Sequence, residues 1–352
     1  MIIVHYLNHT LQANGHVAVA VDLACAQAAL GHQVYLVSGH GDFDDVLVRN
    51  GVTKIDVPDA RGLFPLRMLT MARSLLPIMR RIRPDIVNAH MVTAAIAARL
   101  VAWTSGYKLV TTVHNSFDRQ APLMRVGDRV IAVSKSVYDE MRGFGVAASK
   151  LRIVHNGTIG GARRPAVPVQ RTTLSRPAIA TVCGLHPRKG VDHLIDAFAI
   201  VHRQCPAAHL YIVGDGPFRA AYEQRAADSG VGASIHFTGH IGDPREVLAE
   251  VDIFALASLR EPFGLVVSEA REMGCALVTT DVDGLPEAVG GADHGILVPP
   301  ADPAAIAAAL LSLINDPALL ARYRAASSAD TEGLTVAVMA KSTLDVYDEI
   351  IS

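Results

Sequence analysis

Short runs of apolar, β-favouring residues alternate with longer segments of helical period along almost the whole of this 352-residue chain. MIIVHYL precedes GHVAVAVDLACAQAALG and HQVYLVS; PDIVNAH precedes TAAIAARLVAW and YKLVTTVH; DRVIAVS precedes KSVYDEMRGFG. Strands that are apolar on both faces belong in a parallel sheet packed between helix layers, and their interleaving with helices is the pattern of βαβ units. Around residues 156–177 (NGTIGGARRPAVPVQRTTLSRP) the period vanishes and Gly, Pro, Arg and Thr take over, which predicts an interdomain linker. The alternation then resumes through PAIATVCG, VDHLIDAFAIVHRQ, AHLYIVG, ASIHFTG, DIFALAS, GLVVSEAREMG and CALVTTD. At about 150 residues per domain the length agrees with two. The chain therefore reads as two doubly wound α/β domains, 1–165 and 176–330, with 331–352 forming a last helix that crosses back to the first.

Composition narrows the partners. Mean hydropathy is +0.29, yet no apolar run reaches the roughly 18 residues of a membrane span. The start, MIIVHYLNHT, has no basic segment followed by an apolar one and a small-residue cleavage site, so it reads as a first strand, and a cytosolic location is expected. Cys25, Cys183, Cys205 and Cys275 show no CxxC spacing, which points to core thiols rather than zinc or disulfides. The net charge of −2 hides an asymmetry: residues 1–170 carry 19 Lys and Arg against 11 Asp and Glu, the remainder 13 against 23. The basic half favours an anionic surface, with no pattern that calls for nucleic acid.

In open α/β sheets, ligands sit outside the carboxyl ends of the strands. In the first half those positions hold Asn8 to Gly15, His90, His114 with Asn115, and Ser134. In the second they hold Gly184 to Gly190, Gly214-Asp215-Gly216, Gly239 and Glu261. Two such edges predict a cleft between the domains. GLHPRKG (184–190) follows a strand and opens the helix VDHLIDAF, so Arg188 and Lys189 stand beside a helix N-terminus whose amides and dipole already favour an anion. Two cations in the acidic half fit a bound diphosphate; solvated loop charges would write the same letters. IVGDGP (212–217) is a strand ending in a Gly-rich turn of a kind common in α/β proteins.

REPFGLVVSEAREMG (260–274) places Glu261 ahead of a helix and Glu269 about two turns inside it, among Leu265, Val266, Val267, Ala270 and Met273. A carboxylate near a buried face needs a partner. Vicinal hydroxyls of a ribose or hexose would serve; so would Arg260, Arg271 or solvent. The pair Asp281 and Asp283 in DVDG could be taken for a metal-binding DxD, but Asp before Gly is a common turn former, and no metal is expected.

Residues 180–317 closely resemble the retaining glycosyltransferases of family 4, which have the two-Rossmann GT-B architecture. The blocks are GLHPRKGVDHLIDAF, IVGDGPFRAAYEQ, IHFTGHI, EPFGLVVSE with its E-x7-E spacing, EMGCALVTTDVDGLPE and GILVPPADPAAIAAALLSLINDP, in order. The first half matches more loosely through PDIVNAHMV, LVTTVHNSFD, VIAVSKSV and IVHNG. The resemblance implies that Arg188 and Lys189 hold the donor diphosphate. Glu261, with Pro262, Phe263, Gly264 and Leu265, would contact the donor sugar and β-phosphate, and Glu269 the ribose. Gly15, Gly184, Gly214 and Gly216 would line the donor, His114 would approach its sugar, and His90 and Asn115 would lie on the acceptor side. This sequence departs from the family in Cys183-Gly184-Leu185, where Gly-Arg-Leu is frequent, in a single glycine before His16, and in Ala276 for a frequent proline.

The implied activity is retaining transfer of a sugar from a UDP- or GDP-linked donor to a hydroxyl of a sugar, glycolipid or other acceptor. No resident cofactor or metal is implied, and the setting would be polysaccharide, lipid-linked oligosaccharide or glycoconjugate assembly. A sugar-nucleotide epimerase or phosphorylase of the same fold, or a non-catalytic sugar-nucleotide-binding subunit, is the alternative. LRMLTMARSLLPIMRRIRPD, with Arg67, Arg73, Arg80, Arg81 and Arg83 and no acid before Asp85, suits either peripheral contact with an anionic inner membrane or a solvated basic face. Pro77 is expected to interrupt its helix.

Overall fold

The computed structural model describes residues 1–12, 14–58, 64–164 and 173–351. It divides into two compact units, Met1–Pro165 with Gly333–Ser352, and Ala166–Glu332.

In the first unit the described strands are β1 (Ile2–Tyr6), β2 (Gln33–Ser38), β3 (Thr53–Asp56), β4 (Ile86–Ala89), β5 (Lys108–Val113), β6 (Arg129–Ala132) and β7 (Leu151–Ile153). They form one sheet in the order β3-β2-β1-β4-β5-β6-β7, parallel throughout. The order turns about between β1 and β4, where Val4 pairs with Val87 and Tyr6 with Ala89. All four residues of β4 are buried, as a strand covered on both faces requires. Of these, the fully buried Ile86 and Val87 side chains each contribute about 1.5–3 kcal/mol. The helix Gly15–Ala29 is apolar on most of its surface because the final helix, Val336–Ile351, packs on it.

Two local readings change. The helix Phe64–Ile82 runs through Pro77 without a break. Proline there removes only one backbone donor, while Met68, Met71, Leu75 and Met79 keep a continuous buried face across it. The predicted linker is packed over its first part. Thr158 N donates to Leu334 O at 2.9 Å, a bridge joins Ile159 to Thr335, and Arg163 pairs with the buried Asp22 at 2.9 Å. A Cβ on Gly157 would fall 2.3 Å from Thr335 O, so close backbone contact replaces apolar side chains, and no hydrophobic period marks it. Residues 165–172 of that linker lie outside the described residues.

In the second unit, β8 (Ala178–Val182), β9 (His209–Val213), β10 (Ile235–Gly239), β11 (Ile253–Leu256), β12 (Ala276–Thr280) and β13 (Ile296–Val298) form a sheet in the order β10-β9-β8-β11-β12-β13. All its pairs are parallel, and its order turns about between β8 and β11. Val191, Leu194, Ile195, Phe198 and Val201 form the apolar stripe of the helix Val191–Gln204 and pack with Leu310 and Leu313 of the helix Pro303–Asn315. Among the described residues no single helix is long and apolar enough to cross a membrane.

Candidate functional site

Each sheet carries polar residues where its strand order turns about, the place where open α/β sheets bind ligands. In the second unit β8 gives way to Cys183-Gly184-Leu185, and the turn Pro187–Lys189 delivers Gly190, at φ 61°, to the start of the helix Val191–Gln204. A Cβ on Gly190 would lie 2.0 Å from the carbonyl oxygen of Ala257, just past β11. Only glycine lets the two loops touch there, and Leu259 N donating to Arg188 O at 2.8 Å locks them together.

That contact brings Lys189 against Glu261. The ammonium and Glu261 Oε2 form an ion pair, with side-chain exposures of 11% and 10%. Arg188 Nη1 lies 3.9 Å from the same oxygen and donates to Arg260 O at 3.4 Å. The Ser258 hydroxyl donates to Glu261 at 3.4 Å. The amide of Glu261 donates to Asp283 Oδ2 at 2.8 Å, and Arg260 Nε holds the same oxygen at 3.0 Å. Asp283 is thus spent on clamping the 260–261 loop. The cluster carries more positive than negative charge, beside a helix N-terminus.

The remaining candidates of this unit fall into two kinds. Pro262, Phe263 and Gly264 are buried; Gly264, at φ 90°, caps the helix Leu265–Glu272, and a Cβ there would meet Leu285 Cδ2 at 2.6 Å. Leu265 and Glu269 are half-buried on that helix. Glu269 lies in the electrostatic reach of Arg245. Arg271, a candidate partner for it in sequence, is buried instead and donates to the carbonyls of Ser327, Ala288 and Ala329. Cβ atoms on Gly214 and Gly216 would collide with Cys183 O at 2.0 Å and Leu185 O at 2.6 Å, so glycine there serves loop-on-loop packing. Gly184 is exposed with only ordinary contacts, leaving its backbone open to a ligand.

In the first unit, β1, β4 and β5 bring three histidines into line. His5 Nδ1 lies 2.9 Å from His90 Nε2, and His90 Nδ1 lies 3.0 Å from His114 Nε2. Successive rings stack at 5.2 and 5.3 Å. The far end of the row is closed by Gln27 Oε1, 2.8 Å from His5 Nε2. Burial pushes the imidazolium pKa of His5 down to about 4 and that of His114 to about 3, and holds His90 well below the usual range. These rings are neutral at neutral pH. Gly15 is the exposed first residue of its helix. Next to it, His16 brings its ring within 6.1 Å of that of His114. His16 Nε2 and His114 Nδ1 are both shielded from solvent and, among the described residues, without a hydrogen-bond partner.

Asn115 is exposed and accepts from Phe117 N at 3.0 Å, and Asp118 accepts from Gln120 N at 2.9 Å, so both shape the turn after β5. Ser134 caps the next helix, accepting from Val137 N at 3.2 Å. Sequence reasoning did not single out His5, His16 or Gln27. The available signal was a histidine inside IIVHY, a strand otherwise apolar on both faces, because a buried polar group needs a partner.

A family model described as Glycosyl transferases group 1 matches residues 176–316, and one described as Glycosyltransferase Family 4 matches residues 13–158. The glycogen synthase of Mycobacterium tuberculosis is 32% identical over 287 residues, covering 75% of this chain and 69% of that protein. The lipopolysaccharide core biosynthesis glycosyltransferase LpsE of Rhizobium meliloti is 28% identical over 265 residues, 73% and 74% of the two chains. Among solved structures, Anabaena HepE in complex with UDP and glucose aligns with a TM-score of 0.83 at 19% identity, covering 99% of both chains. WaaG, a glycosyltransferase involved in lipopolysaccharide biosynthesis, aligns at 0.77 and 17%, covering 97% of this chain and 99% of that one.

Proposed function

This chain belongs to the group 1 glycosyl transferases and is a glycosyltransferase of GT-B fold; from that premise we propose that it moves a sugar from a UDP- or GDP-linked donor to an acceptor hydroxyl with retention of configuration. The observation that carries the donor reading is the Arg188, Lys189 and Glu261 cluster at the turn-about of the second sheet. When the bond from the sugar C1 to the β-phosphate oxygen breaks, negative charge builds on the departing oxygen. The two cations, with the first amides of the helices Val191–Gln204 and Leu265–Glu272, suit that charge. The acceptor oxygen bonds to C1 on the same face, and its proton passes to the departing phosphate oxygen. In this reading Glu261 orients Lys189, Glu269 takes the ribose hydroxyls and His114 takes a sugar hydroxyl. Side chains supply the positive charge, so no step is routed through a metal or a resident cofactor.

The likeness to enzymes of glycogen and lipopolysaccharide synthesis supports a place in polysaccharide or glycoconjugate assembly. A cytosolic enzyme meeting a lipid-linked acceptor is supported by the helix Phe64–Ile82. It shows Leu66, Leu69, Arg73, Pro77 and Arg80 on one exposed face, apolar at one end and basic at the other. Anionic headgroups would attract that face.

Thermal unfolding with UDP, GDP and a panel of their sugars tests the donor reading. A ligand at 100 times its dissociation constant stabilises the folded state by about 2.7 kcal/mol. A panel without any shift refutes it. With the donor known, product analysis with and without acceptor separates transfer from epimerisation or phosphorolysis, and the anomeric configuration of the product decides retention.

A further inference from the structure

The row of imidazoles in the first unit has a direction, and Gln27 sets it. Gln27 is fully buried on the helix Gly15–Ala29, its amide oxygen 2.8 Å from His5 Nε2, while its amide nitrogen is buried without a hydrogen-bond partner among the described residues. An amide oxygen only accepts, so His5 carries its proton on Nε2 and offers a lone pair at Nδ1. His90 must then donate from Nε2 across 2.9 Å, leaving its own Nδ1 to accept from His114 Nε2 across 3.0 Å. Each neutral ring has one donor and one acceptor, so a single choice at Gln27 propagates along all three. The row ends at His114 Nδ1, a lone pair shielded from water and lacking a partner among the described residues.

We infer that Gln27, acting through His5 and His90, is a positioning residue that holds His114 with its proton on Nε2 and presents Nδ1 as an acceptor for a ligand hydroxyl. This rests on the glycosyl-transfer reading for the identity of the ligand, a neutral polyol, and narrows it. A lone pair repels phosphate oxygens, so His114 serves the sugar or acceptor hydroxyls and takes no part in holding the diphosphate. His16, whose Nε2 is likewise unpartnered and whose ring faces His114 at 6.1 Å, borders the same corner. The low imidazolium pKa of His114, lowered to about 3 by burial, fits a ring that stays neutral there.

The test is a two-bond nitrogen–proton correlation spectrum of the full chain labelled with nitrogen-15 at histidine, with His114 assigned by its loss in His114→Gln. It needs no substrate, so its failure is distinct from failure of the transfer reading. The expected result at neutral pH is His114 protonated on Nε2 alone. Gln27→Met, which removes the acceptor at similar volume, should redistribute the proton between the two nitrogens. Gln27→Glu, which keeps the acceptor, should preserve the wild-type pattern. A wild-type His114 protonated on Nδ1, or on both nitrogens, overturns the inference. An unchanged tautomer in a folded Gln27→Met protein removes Gln27 from the role. Should that variant not fold, the wild-type spectrum still decides the direction of the row.

Discussion

Lys189 and Glu261 form an ion pair almost closed off from solvent, at the point where the second sheet turns about. A buried pair contributes little net stability, but losing one partner strands the other charge, at a cost of about 3–5 kcal/mol. Lys189→Ala should therefore unfold at a lower temperature and lose more than tenfold in turnover. Combining Lys189→Met with Glu261→Gln should restore most of the stability and none of the turnover. Calorimetry beside transfer rates checks both; a Lys189→Ala protein of normal rate contradicts the diphosphate role.

The contact at Gly190 sets the loops that carry this pair. With φ at 61° and Ala257 O only 2.0 Å from where a Cβ would stand, Gly190→Ala forces the two loops apart. The expected loss is about 2 kcal/mol or more, together with a weakened thermal response to nucleotide. Gly143→Ala, where nothing lies within 4 Å of the added Cβ, is the control and should leave both unchanged. Equal denaturation midpoints for the two variants would show that the loops are not in contact.

Neutral buried imidazoles make stability depend on pH. The unfolded chain takes up protons at His5, His16 and His114 below about pH 6.5, whereas in the folded state these groups resist until the pH approaches 4 or 3. The unfolded state therefore binds more protons across that window. Stability is full above pH 6.5 and falls as the pH drops, by about 1.4 kcal/mol per unit for each such histidine. Denaturant titrations at pH 7.5, 6.5 and 5.5 should show the decline; a flat profile would mean the rings are solvated.

Trp103, the chain's single tryptophan, is 82% exposed on the helix Val92–Ser105, which packs against the basic helix Phe64–Ile82. Vesicles rich in anionic lipid should shift its emission to the blue at low salt, neutral vesicles should not, and Arg73→Glu with Arg80→Glu should abolish the shift. Emission that ignores anionic vesicles removes the membrane part of the proposal.

Sequence by itself determined the class of fold, because a parallel sheet buried on both faces leaves an unmistakable alternation of short apolar runs and helical segments. It also determined which loops carry charge and glycine, since the strand ends are countable once the strands are found; Arg188, Lys189 and Glu261 are legible in that way. Tertiary structure decided which of those groups meet. Lys189 and Glu261 lie 72 residues apart, and only the adjacency of β8 and β11 joins them. His5, His90 and His114 align only because β1, β4 and β5 are neighbours in that order. The order of Asn156 to Arg164 and the helix through Pro77 were likewise decided by packing, which can replace a missing apolar period or a missing donor with contacts distant in the chain.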